Sequence, residues 1–128
     1  MPKQGTTAWK ELSKALKAAG LSMTEYQKAD NKTRQTMLNN AKNKNINDQI
    51  AAQEEIIKAY EEKYQFNRND TLANHIGKSD ESAFRAYMQE IETKEQLLDS
   101  QIDQREANRQ DLIAVYKADL EADIAVLT

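Results

Sequence analysis

Neither Gly nor Pro occurs between Gly20 and Gly77, or anywhere after Gly77. A chain so poor in helix breakers and rich in Ala, Lys, Glu and Gln can be helical almost throughout at low cost. Ser79 is a strong helix start, because a hydroxyl cap is followed by Asp80 and Glu81 where exposed N–H groups favour negative charge. A helix from there to about Val126 would be roughly 70 Å long. A compact globule of 128 residues has a radius of gyration of only about 14 Å. The expected fold class is therefore all-α: a small N-terminal helical bundle plus an antiparallel helical hairpin with a long C-terminal coiled-coil-like helix. The expected division is 1–45 for the small basic bundle and 46–128 for the acidic hairpin and long helix.

Local signals place the N-terminal elements. Trp9, Leu12, Leu16 and Ala19 form one apolar stripe, Thr6 or Thr7 can cap its start and Gly20 can end it, so a helix is expected over about 7–19. Ser22 followed by Glu25 reads as a capping box, with Leu21 and Tyr26 at the staple positions. A short second helix should run to about Ala29 and a third over Lys32 to Lys42. Asn43-Lys44-Asn45-Ile46-Asn47 is a weak helix-forming tract whose amides compete for backbone bonds, so a break is expected there. The next helix should run from Asn47 or Asp48 to about Phe66. Its stripe of Ile46, Ile50, Gln53, Ile57, Tyr60 and Tyr64 keeps a 4-3 alternation with one polar interruption.

The long helix opens with Phe84, Met88, Ile91, Glu95, Leu98 and Ile102, after which the better apolar line passes through Ile113, Tyr116, Leu120, Ile124 and Leu127. Such a shift resembles a stutter, and the polar stretch Gln104 to Gln110 is expected to hold a kink or a wet layer. Leu98 and Ile102 are expected inside the hairpin. Leu112, Ile113, Tyr116, Leu120, Ile124 and Leu127 are expected to form an interaction seam, because leaving large apolar side chains wet forgoes about 1.5–3 kcal/mol each.

Charge is divided unevenly. Residues 1–50 carry nine Lys/Arg against four Asp/Glu, a net of +5, whereas 51–128 carry nine against seventeen, a net of -8. Lys10, Lys14, Lys17, Lys28, Lys32, Arg34, Lys42 and Lys44 are therefore candidate contacts to a nucleic acid or an acidic partner. The carboxylates Glu92, Glu95, Asp99, Asp103 and Glu106 share a broad helix face and read as solvated. His75, the only histidine, reads as a cap or surface residue at a helix end.

The chemistry-bearing motifs of enzymes are missing. There is no Cys, no phosphate-cradling Gly loop, no nucleophile elbow and no zinc spacing. No metal, cofactor or catalytic residue is expected. No apolar run approaches the roughly 20 residues that cross a bilayer, and no signal-peptide core precedes the first helix, so a cytoplasmic or virion-associated setting is expected. The leading expectation is a non-enzymatic structural or assembly protein, a scaffold, adaptor or virion-associated component, acting as a homo-oligomer or on a helical protein partner. The alternative is a nucleic-acid-binding regulatory or accessory protein that uses residues 10–44 and is dimerised by the long helix.

Overall fold

A computed structural model describes residues 3–127. It contains α1 (Thr7–Ala18), α2 (Met23–Lys28), α3 (Asn31–Tyr64), a 3₁₀ turn at Leu72–Asn74 and α4 (Glu81–Leu127). No strand occurs among the described residues, and the fold class is all-α. Two compact units are present, one holding the chain up to Asn45 together with Gln101 onward, the other Ile46–Ser100. The residues thus group differently from a simple division into 1–45 and 46–128, since the last part of α4 joins the N-terminal helices.

In the first unit the local signals act as their chemistry dictates. The Thr6 side chain accepts from Trp9 N at 3.2 Å and opens α1. Gly20, at φ 76°, closes it. Gly20 N then donates to Lys17 O at 3.0 Å and Leu21 N to Leu16 O at 2.8 Å, the paired bonds that satisfy a helix's last carbonyls. The same turn brings Leu21 onto the cluster of Leu16, Tyr26 and Met37, which Leu12, Met23 and Leu38 complete. Ser22 accepts from Glu25 N and Asp30 from Thr33 N, capping α2 and α3.

The break expected over Asn43–Asn47 is absent, because α3 runs through it unbroken for 34 residues. Asn in a helix costs only about 0.7 kcal/mol relative to Ala, provided its amide has somewhere better to go than its own backbone. Here α4 supplies that place. The Asn39 amide donates to the Asn108 carbonyl at 3.1 Å, and Asn108 Nδ2 returns to the Asn39 carbonyl at 3.4 Å and to Asn43 Oδ1 at 2.7 Å. Gln35 and Gln104 extend the network to Asn39 Oδ1 and Asn108 Oδ1. The polar stretch Gln104 to Gln110 therefore carries a polar layer satisfied by protein groups, and α4 continues through it as helix. Asn108→Leu should cost about 1–3 kcal/mol, the penalty for stranding buried partners, read as a lowered urea midpoint with unchanged slope. A midpoint within error of the native protein would show that the network adds nothing.

The second unit is built on Ile57, Phe66, Phe84 and Tyr87, with Tyr60, Leu72 and Ile91 around them. The stripe read on α3 is its inward face: Ile57 and Gln53 are buried, Ile46, Ile50 and Tyr60 half-buried, and Tyr64 alone is exposed. The polar interruption is satisfied, since Gln53 Nε2 donates to the carbonyl of Glu90 at 2.9 Å and also to its carboxylate. α3 ends at Tyr64 rather than near Phe66, because Gln65 takes a left-handed φ of 58°. That turn sends Phe66 back into the core, edge-on to Phe84 with centroids 5.0 Å apart. Lys94 meets Glu54 and Tyr87 meets Glu61, so partner numbers fall along α4 as they rise along α3.

Candidate interaction surface

α4 turns different faces inward and outward from those its hydrophobicity alone suggests. In the second unit Phe84, Tyr87, Ile91, Lys94 and Leu97 are buried or half-buried, and in the first unit Gln101, Gln104, Asn108, Leu112, Val115 and Asp119 are. These positions advance by threes and fours and make one face. Leu98 and Ile102, expected inside, are exposed at 39% and 62%. The reason is complementarity: α3 offers Glu54 to Lys94 at 2.7 Å and Asn39 and Asn43 to Asn108, so the polar residues on the inward face, beside Phe84, Tyr87 and Ile91, are the ones with partners.

Of the expected seam, Leu112 is half-buried and belongs to the inward face. Ile113, Tyr116, Leu120, Ile124 and Leu127 remain exposed at 38, 50, 59, 52 and 86%. Spaced 3-4-4-3, they occupy one face of the helix beside the packed one. Lys32 Nζ lies 4.7 Å from the Tyr116 ring centroid, so one edge of this face carries a cation–π contact.

Of the eight basic candidates, Lys10, Lys14 and Lys17 are exposed on α1 at four- and three-residue steps, and Lys28 and Lys44 are exposed as well. Lys32, Arg34 and Lys42 make the following contacts within the chain. Arg34 donates to the Tyr26 carbonyl at 2.9 Å and the Gln27 carbonyl at 2.5 Å, satisfying the end of α2, while Lys32 covers Tyr116 and Lys42 lies 3.9 Å from Asp111. The series Glu92, Glu95, Asp99, Asp103 and Glu106 is exposed throughout. Among the described residues no three acidic or histidine side chains gather where they could share a metal ion. No helix among them is long and apolar enough to cross a membrane.

Two polar clusters in the second unit were not legible as such in the sequence. Arg68 holds Glu61 at 2.9 Å and also bonds Glu54, whose second oxygen takes Lys94. The Arg68 hydrogen bond, then that of Lys94, holds Glu54 down to about 2, and Arg68 likewise lowers Glu61. Tyr87 Oη donates to Glu61 at 2.8 Å, and burial with that bond pushes the phenol up to about 12. Carboxylates and a phenol held this way keep their ordinary ionisation states near neutral pH, which suits a brace better than an acid–base pair.

His75 caps the end of the 3₁₀ turn, its N–H donating to the Leu72 carbonyl at 2.9 Å, but it is buried at 9% exposure and is not a surface residue. Its Nε2 lies 2.8 Å from Asp70 Oδ2 and its Nδ1 3.0 Å from Asp80 Oδ2. The ring stacks on Phe84 with centroids 4.0 Å apart and meets Phe66 edge-on at 5.4 Å. The available signal was the symmetric placement of an aspartate five residues before and five after the only histidine. Asp70 Oδ1 in turn accepts from Thr71 N at 2.8 Å and bonds Asn74. These bonds lock the connector between α3 and α4. An open groove of about 630 Å³ runs beside this cluster, mixing Arg68 and Arg85 with Glu92, Glu95, Leu72 and Met88. Compared with models of protein families, with curated proteins and with solved structures, the chain matches none.

Proposed function

We propose that this chain is a non-enzymatic structural or assembly protein, a scaffold, adaptor or virion-associated component, that works by helix-to-helix contact. The observation that carries the reading is the exposed apolar face of α4: Ile113, Tyr116, Leu120, Ile124 and Leu127 lie on one face of a helix whose neighbouring face is packed as far as Asp119. Single exposed leucines are ordinary, whereas five large apolar side chains in register form the kind of strip that helices bury against other helices. In this reading the second unit is an antiparallel hairpin of α3 and α4, supported by the opposed running of paired residues such as Glu54 with Lys94 and Glu61 with Tyr87. Against an enzyme stand the two ring nitrogens of His75, both engaged by carboxylates, and the absence among the described clusters of a nucleophile held by a base. Engagement of Lys32, Arg34 and Lys42 within the chain favours assembly over the nucleic-acid reading of the basic helices.

Leu120→Asp is expected to abolish association while leaving helical content unchanged, because position 120 makes its contribution only when a partner covers it. Solution mass by light scattering across a concentration series, with circular dichroism as the folding control, reads both. A monomer at every concentration, or an oligomer untouched by the substitution, overturns the reading.

A further inference from the structure

We infer that the partner of the α4 face is a second copy of this chain, running antiparallel across it with Leu120 on the two-fold axis. This rests on the assembly reading and adds the partner's identity and direction. Ile113, Tyr116, Ile124 and Leu127 stand at minus seven, minus four, plus four and plus seven from Leu120, so the spacing reads the same in both directions. A self-complementary strip of this kind suits an isologous contact, in which Ile113 of one copy meets Leu127 of the other, Tyr116 meets Ile124, and Leu120 meets itself. A parallel pair has no use for the symmetry.

The charges on one flank of the strip agree with the antiparallel direction. Lys117 and Glu121 lie one turn apart on the same side of the strip, both exposed. In an antiparallel copy pivoted on Leu120, Lys117 of each chain comes opposite Glu121 of the other, about two residues' rise away along the axis. On the other side stand Asp119 and Asp123. Asp119 is half-buried and turns toward the groove it lines with Tyr26 and Arg34, so that flank brings the two exposed Asp123 carboxylates about six residues' rise apart, a weak like-charge repulsion that the Lys117–Glu121 pairing has to outweigh. Five large side chains from each copy fall below the roughly 20–30 residues a side of a standard interface, so the dimer should be weak and is best caught by a covalent trap.

The chain has no cysteine, which makes single-cysteine variants unambiguous. Under mild oxidation Leu120→Cys should link to itself well above the rate of Ala122→Cys, whose side chain lies on the opposite face of α4. Ile113→Cys and Leu127→Cys should each stay largely unlinked alone but form a mixed disulfide when combined. Self-linking of Ile113→Cys without the mixed product would mean a parallel pair, overturning this inference and leaving the assembly reading standing. A native oligomer in light scattering whose variants link no faster than Ala122→Cys would mean that the oligomer does not use this face, overturning this inference and the assembly reading that rests on the same face. A native protein that is monomeric throughout and links at no position sinks both.

Discussion

Phe84→Ala is expected to remove about 3–5 kcal/mol of stability, the largest effect of any single truncation in the second unit. Phe84 is 1% exposed. Its ring stacks on His75 at 4.0 Å, takes Phe66 edge-on at 5.0 Å and lies 5.6 Å from Tyr87. Removing it withdraws the surface on which the connector after α3 is folded back, and the aromatic neighbours are too rigid to collapse into the space. Domains of this kind are stable by about 5–15 kcal/mol in total, so the variant should sit near the edge of folding at ambient temperature. Urea unfolding followed by circular dichroism measures it. Met88→Ala, one turn along and 44% exposed, serves as the contrast and should fall well below that loss. A loss under about 1 kcal/mol for Phe84→Ala would mean that the aromatic cluster is not what holds this unit.

The second large effect is a decline of stability on the alkaline side that depends on one residue. Each ring nitrogen of His75 faces a carboxylate oxygen, and only the doubly protonated ring can donate to both. The hydrogen bond to Asp70, followed by that to Asp80, raises the His75 pKa above its ordinary 6.5 against the opposing pull of burial. A group whose pKa is higher in the folded state stabilises fully below its unfolded value and loses that contribution as pH rises through the folded one. The thermal midpoint should therefore hold up to about pH 6.5 and fall above it, as the neutral ring turns a lone pair toward an aspartate. Asp70 behaves in the opposite sense. Held down to about 2 by the Asn74 and His75 hydrogen bonds, it stabilises above its ordinary 3.8 and loses that contribution as pH falls toward 2. His75→Gln keeps at most one of the two bonds, so it should lower the midpoint at pH 6 and flatten the alkaline decline. If midpoints of variant and native protein descend in parallel from pH 6 to 9, the decline belongs to other groups.

Both predictions concern contacts that no local reading could foresee. The sequence around His75 reads as surface because nothing within four residues of it is acidic. The 3₁₀ turn at Leu72–Asn74 and the turn at Gly77 fold the flanking chain so that Asp70 and Asp80 approach the ring from two sides. The Arg68 brace is similar: Glu54 and Glu61 are fourteen and seven residues away, and only the reversal of the chain at Gln65 brings the guanidinium back to them.

What the sequence determined by itself is the part governed by short range. The helical class, the start and stop of α1, the capping box of α2 and the inward stripe of α3 follow from interactions spanning five residues or fewer, so their signals are written side by side in the chain. The tertiary structure alone decided whether the Asn-rich tract breaks and which face of α4 is buried. Both answers lie in the partner helix: Asn39 and Asn43 find Asn108 nearly seventy residues away, and that match lets the buried face of α4 take in Gln104 and Asn108 while Leu98 and Ile102 stay outside. Hydrophobic pattern ranks faces by their transfer from water. Once buried polar groups are fully paired their burial costs little, and the choice of face passes to complementarity between the two helices.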